Sequence, residues 1–223
     1  MKRAELSPYF GFILVLGALW GLAEAGLGMW LRACASSYSG ALMCGFALFF
    51  IASAWEVSGK ISAVFVIVIL ASLFKLMDAA LLSLPLKHGA IANPIFAFFL
   101  EALAFLFLIG VVQKNLREKA IGHSLLGGMS ALLAANLFPL VKYATGVPAC
   151  VVPGTGYPLS LYYLHLSVAV SFLTVPAGFW VGARLREIEF KFAGKPLANK
   201  ISPLASSAFL ILCAGAVVII RLV

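Results

Sequence analysis

The run ISAVFVIVILASLFKLMDAALLSLPL, residues 61–86, decides the fold, and its only charges, Lys75 and Asp78, sit well inside it. Crossing a hydrocarbon core of about 30 Å takes roughly 20 apolar residues, and this stretch is longer. A soluble amphipathic helix would carry charged residues at every turn; here none occurs before Lys75. The stretch therefore predicts a helix that crosses a membrane.

Outward from it, six more apolar stretches follow the same pattern, at about 9–31, 38–55, 90–112, 122–143, 158–183 and 202–222. Together the seven predict an all-α polytopic membrane bundle forming one transmembrane domain over residues 1–223. The longest connections, 145–158 and 184–200, are too short to be a second domain. Composition agrees, with 63% hydrophobic and 11% charged residues where a soluble domain carries about 25% charged.

The net charge of +8 would suggest nucleic-acid binding in a soluble protein. Here the basic residues lie between apolar runs, so they report topology, and no nucleic-acid partner is expected. With the amino terminus in the cytoplasm, the inner side holds eleven of them, among them Lys60, Lys119, Arg184 and Arg186. The outer side holds four: Arg32, Lys87, Lys142 and Arg221. That bias predicts a multi-pass protein of the inner (cytoplasmic) membrane with its carboxy terminus outside. Residues 1–5 lead into the first apolar run without a small-residue cleavage site, so the first helix is expected to stay. Trp30, Trp55 and Trp180 fall near span ends, as aromatic belts do.

Ionisable groups inside a bilayer are costly, and each is a functional candidate. Glu24, Lys75, Asp78 and Glu101 are such groups, with Asn93, Asn136 and His165 as polar companions. At 1.5 Å per residue all lie in the outer half of the bundle or near its middle. Two arrangements can satisfy them: interhelical ion pairs, or one hydrated pocket open to the outer face. We expect both, with a buried Lys75–Glu101 pair at the floor of a pocket lined by Glu24, Lys75, Asp78, Asn93, Glu101, Asn136, Tyr162 and His165. The mixture of a lysine with carboxylates points to a neutral or zwitterionic ligand. Tyr157, Tyr162 and Tyr163 would form an aromatic mouth or a belt.

Gly17, Gly21 and Ala25 recur every four residues on the first helix, which suits close approach of another helix, either within the bundle or from a partner subunit. No nucleophile–base constellation is legible. His88, His123 and His165 lie in separate segments without ligand spacing, so neither a metal nor a cofactor is expected. Cys34 and Cys150 both fall in outer loops, where a disulfide between them is allowed by compartment.

Two segments carry a family resemblance: Ala18-Leu19-Trp20-Gly21-Leu22-Ala23-Glu24, and Asn93-Pro94-Ile95 through Glu101-Ala102-Leu103. With the basic, almost wholly membrane-embedded chain, they resemble the substrate-binding (S) components of energy-coupling-factor (ECF) transporters, or membrane proteins related to them, over about residues 9–184. The resemblance implies a six-helix fold that binds a vitamin or similar micronutrient from outside. It also implies that the small-residue face of the first helix docks a transmembrane coupling subunit, with ATPases driving release. The chain departs from that family in its seventh span. Residue two is Lys2 and not the histidine of the nickel and cobalt members, so a metal substrate is not implied. The expected function is therefore a non-catalytic binding subunit for small-molecule uptake, with its substrate, the coupling subunit, the ATPases and membrane lipid as partners. The alternative is a membrane-embedded enzyme or assembly factor acting on a lipid-like substrate.

Overall fold

The computed structural model describes residues 9–35, 38–117, 119–192 and 198–222, with side chains of 27–35, 114, 117, 189, 190, 192 and 198–203 left aside. Each sequence-predicted span is a helix: α1 (Phe10–Ala35), α2 (Ser39–Ser58), α3 (Ile61–Leu81), α4 (Gly89–Val111), α6 (Ala120–Leu137), α9 (Leu164–Phe192) and α10 (Ala198–Leu222). Short helices α5 (Lys114–Arg117), α7 (Val141–Thr145) and α8 (Leu159–Tyr162) lie in the connections. Among the described residues there is no strand beyond an isolated bridge between Val151 and Pro158. Six helices are long and apolar enough to cross a membrane, and the described side chains of α1 add a shorter apolar helix, Phe10–Gly26. The protein is a polytopic all-α membrane bundle.

Local chemistry sets the helix ends. α2 stops where Gly59 takes φ 62°, its N–H donating to the Trp55 carbonyl; glycine reaches that left-handed conformation without a Cβ clash. Lys60 is extended, and α3 starts directly after it. His88 caps α4, its Nδ1 accepting from the Ala90 N–H at 3.2 Å. The span expected over 122–143 is divided: α6 tightens into a 3₁₀ turn at Phe138–Leu140 before α7, with Pro139 inside that turn removing one backbone donor.

In lipid, apolar surface alone does not pull helices together; van der Waals fit and interhelical hydrogen bonds do. Three glycines bring α2, α6 and α9 close. A Cβ on Gly178 would strike the Phe49 carbonyl, one on Gly182 the Ser53 carbonyl, and one on Gly127 the Ser171 carbonyl. Hydrogen bonds fix the α2–α9 contact: Thr174 Oγ1 donates to the Gly45 carbonyl at 2.8 Å, and Ser53 Oγ faces the Gly178 carbonyl at 3.0 Å.

The small-residue face of α1 is packed within the chain, the first of the two uses expected of it. Gly17 lies against Leu70 and Gly21 against Phe74, both on α3. Ala25 is buried in a cluster with Phe74, Cys213 and Val217, so α10 completes the cover. Close approach there serves intramolecular packing between α1, α3 and α10.

The main core sits toward the end of the bundle where α3 begins. Trp20, Leu48, Ile51, Ile67, Phe105 and Leu126 are buried there, and Trp20 meets Phe98 edge-on at 4.9 Å between ring centroids. This apolar plug forms the closed side of the space described next.

Candidate functional site

A cavity of about 530 Å³ lies at the end of the bundle where α2 and α4 begin. Its mouth is formed by Ser39, Gly89, Cys150 and Leu159, and it runs down to Glu24, Cys44, Lys75, Phe98 and Glu101. The core residues Trp20, Ile51 and Phe105, each about one turn or more deeper along the same helices, close it at the bottom. Drug-sized ligands occupy clefts of about 300–1,000 Å³, mostly apolar with a few convergent polar groups, and this cavity has that character.

Of the eight residues expected to line a pocket, four do: Glu24, Lys75, Asn93 and Glu101. They come from α1, α3 and α4. Each is at least nine-tenths buried, and the cavity is the space they share. Tyr163 lines it where Tyr162 was expected. Tyr162 is exposed, set edge-on to Tyr163 with centroids 4.8 Å apart, and Tyr163 in turn packs on Tyr38.

The other three expected residues lie elsewhere, for identifiable reasons. Asn136 is exposed, and its amide donates at 2.8 Å to the Leu132 carbonyl one turn back on its own helix. That bond meets the amide's need without any pocket. His165 is exposed on the first turn of α9. Asp78 is buried but faces α10, where Arg221 holds it with Nε–Oδ1 at 2.7 Å and Nη2–Oδ2 at 2.8 Å.

The expected Lys75–Glu101 ion pair is replaced by another. Lys75 Nζ lies 3.3 Å from Asp78 Oδ2 and 3.9 Å from Glu24 Oε2. A buried chain of alternating charges therefore links Arg221 on α10, Asp78 and Lys75 on α3, and Glu24 on α1. Lys75 and Asp78 are three residues apart, on one helix face, and the α1 face nearest them presents Glu24. Glu101 has no cation within 4.0 Å among the described residues, and its Oε2 lacks a hydrogen-bond partner.

Sequence reasoning missed Arg221, Cys44, Ser160 and Ser167 as groups at or behind this site, and named Tyr163 only for an aromatic mouth or belt. The Cys44 thiol lies beside the Glu101 carboxyl. Asn93 Nδ2 donates weakly to the Pro148 carbonyl at 3.4 Å, and its Oδ1 is unpartnered. Pro94 lines the wall next to it and has no N–H for the carbonyl of Ala90, four residues back.

Cys150 is a free, exposed thiol; the Cys34 side chain of the expected disulfide lies outside the described residues, as does that of Trp30. Among the described residues no group of three or more His, Cys, Asp or Glu could hold a metal ion.

Fold and cavity define a class, a polytopic α-helical membrane protein with a blind, polar-floored cavity at one end. No protein-family model, curated protein or solved structure matches the chain.

Proposed function

We propose that this protein is a membrane-embedded binding subunit for uptake of a small molecule, with the cavity as its binding site and no catalytic activity of its own. One observation carries the reading: a cavity of about 530 Å³ reaches past mostly apolar walls to buried Glu24, Lys75, Asn93 and Glu101. Buried ionisable groups inside a membrane are retained where they serve a pathway or a ligand. The blind floor suits binding and release by a conformational change more than a continuous channel. Conversion of binding into uptake falls to partner subunits of the coupling and ATPase kind. Because α1 spends its small-residue face inside the chain, such a partner would dock on another surface. The positive-inside bias orients the mouth outward in the cytoplasmic membrane.

The test is retention of a cellular compound. Protein purified from membranes in mild detergent is expected to release a small molecule on denaturation, identified by mass spectrometry. The Glu24→Gln/Glu101→Gln variant is expected to retain at least tenfold less of it at equal folded yield. Equal retention by that variant would remove the cavity as the binding site.

A second reading, a membrane-embedded enzyme, is favoured by the Cys44 thiol beside Glu101 at the cavity floor. A catalytic Cys44 requires that Cys44→Ala abolish turnover of the retained compound. A binding subunit leaves the compound chemically unchanged in both proteins.

A further inference from the structure

We infer that the cavity takes a ligand with a cationic, hydrogen-bond-donating head, an ammonium or amidinium group on an apolar body, seated against Glu101 and Asn93. This rests on the cavity being the binding site and names the chemical class that fills it.

Among the described residues, the buried carboxyl groups Glu24 and Asp78 are met by Lys75 and Arg221, whereas Glu101 has no cation within 4.0 Å. Both cations are committed. Arg221 grips Asp78 through two bonds, and Lys75 sits between Asp78 and Glu24. The remaining carboxyl is Glu101, within electrostatic reach of Glu24. Glu101, the carboxyl that no described cation reaches, is a wall residue of the cavity.

The unmet hydrogen-bonding capacity has the same sign. Glu101 Oε2 and Asn93 Oδ1 are acceptors without donors, and Pro94 deprives the Ala90 carbonyl of its helical donor. Asn93, Glu101, Pro94 and Ala90 all line the cavity. An anionic ligand would meet acceptors and a carboxyl where it needs donors, with Lys75 already engaged. A cationic N–H donor supplies the missing protons and, by its charge, favours the carboxylate form of Glu101 beside it, and charge-assisted bonds of this kind are among the stronger ones. The apolar remainder of the ligand has Met43, Phe98, Leu100, Phe138 and Leu159 to lie against, with Phe98 and Tyr163 able to present ring faces to a cation. This differs from the neutral or zwitterionic ligand that the mixture of Lys75 with carboxylates suggests in the sequence.

Three matched probes test this on the full-length protein in uncharged detergent: 4-phenylbutylamine, 4-phenylbutanol and 4-phenylbutanoate, measured by titration calorimetry at one pH. The amine is expected to bind at least tenfold tighter than the alcohol, and the carboxylate weakest. Glu101→Gln is expected to bring the amine to the level of the alcohol, whereas Glu101→Asp, which keeps the charge, retains the preference. An amine no tighter than the alcohol, or a preference unchanged in Glu101→Gln, overturns the inference while leaving the cavity as a binding site. Failure of all three probes to bind overturns the inference and counts against the cavity itself. The wild-type ratio of amine to alcohol decides the matter even if Glu101→Gln does not fold.

Discussion

Arg221 on the last helix and Asp78 on the third form a two-pronged ion pair, with Nε–Oδ1 at 2.7 Å and Nη2–Oδ2 at 2.8 Å, both side chains more than nine-tenths buried. The pair ties α10 to the charged row behind the cavity. Breaking one partner of a buried pair leaves an uncompensated charge and typically costs about 3–5 kcal/mol. Arg221→Met is therefore expected to destabilise the bundle by about that much, read as a lower thermal midpoint in detergent. Adding Asp78→Asn removes the stranded carboxylate, so the double variant is expected to be more stable than Arg221→Met alone. Equal stability of Arg221→Met and wild type would mean that the pair holds nothing.

A double-mutant cycle separates the observed partner of Lys75 from the expected one. Lys75 lies 3.9 Å from Glu24 Oε2, while Glu101 is outside ion-pair distance. Coupling between Lys75→Met and Glu24→Gln is expected at about 1 kcal/mol or more, within the range for residues sharing an ion-pair network. Lys75→Met and Glu101→Gln are expected to be nearly additive, within about 0.5 kcal/mol. Stronger coupling to Glu101 than to Glu24 would restore the pairing that depth along the helices suggests.

Those two cycles also mark where sequence reading ends. Apolar runs bounded by charges placed all seven long helices, because length and hydropathy are properties of one segment at a time. Glu24, Lys75, Asn93 and Glu101 are legible as candidates, and line the cavity, because a polar group in a bilayer must be satisfied somewhere. What satisfies it depends on how each helix is rotated, which composition does not encode. Asn136 turned out to be served by its own helix through Leu132. Arg221, four residues from the last hydrophobic helix's neighbour-facing Val217, reads in sequence as an end-of-span topology charge. Only the packing of α10 on α1 and α3 turns it inward to Asp78. Tyr162 and Tyr163 are adjacent, and a helical step of about 100° decides which one lines the cavity.

Glycine contacts give a sharper packing test than the core residues do. A Cβ on Gly178 would meet the backbone carbonyl of Phe49, which cannot rotate aside, whereas Gly110 has nothing within 4 Å. Gly178→Ala is expected to destabilise by about 1–3 kcal/mol, the usual range for overpacking. Gly110→Ala, on an open helix face, is expected to be neutral or to stabilise by up to about 1 kcal/mol through helix propensity. Thermal midpoints of the two variants, measured side by side in one detergent, check the contrast. A tolerated Gly178→Ala would show that α2 and α9 can separate without cost, contrary to the close approach that Gly45, Gly178 and Gly182 create.

Orientation is testable through a residue the chain already carries at the cavity mouth. Cys150 is exposed, unbonded and part of the cavity lining, while Cys44 and Cys213 are buried. In a Cys34→Ser background, a membrane-impermeant maleimide applied to intact cells is expected to label Cys150. Lys60→Cys places a thiol at an exposed position at the opposite end of the bundle, and in a Cys34→Ser/Cys150→Ser background it is expected to label only in inverted vesicles. A bound ligand covers the lower cavity and narrows access at its mouth, so an added excess of 4-phenylbutylamine is expected to slow the Cys150 reaction severalfold. It should leave Lys60→Cys unaffected, because that site is remote from the cavity. Labelling of Cys150 only from the cytoplasmic side would turn the mouth inward. Uptake from outside would then be untenable for this cavity, and a protein that receives its ligand from the cytoplasm or the inner leaflet would take its place.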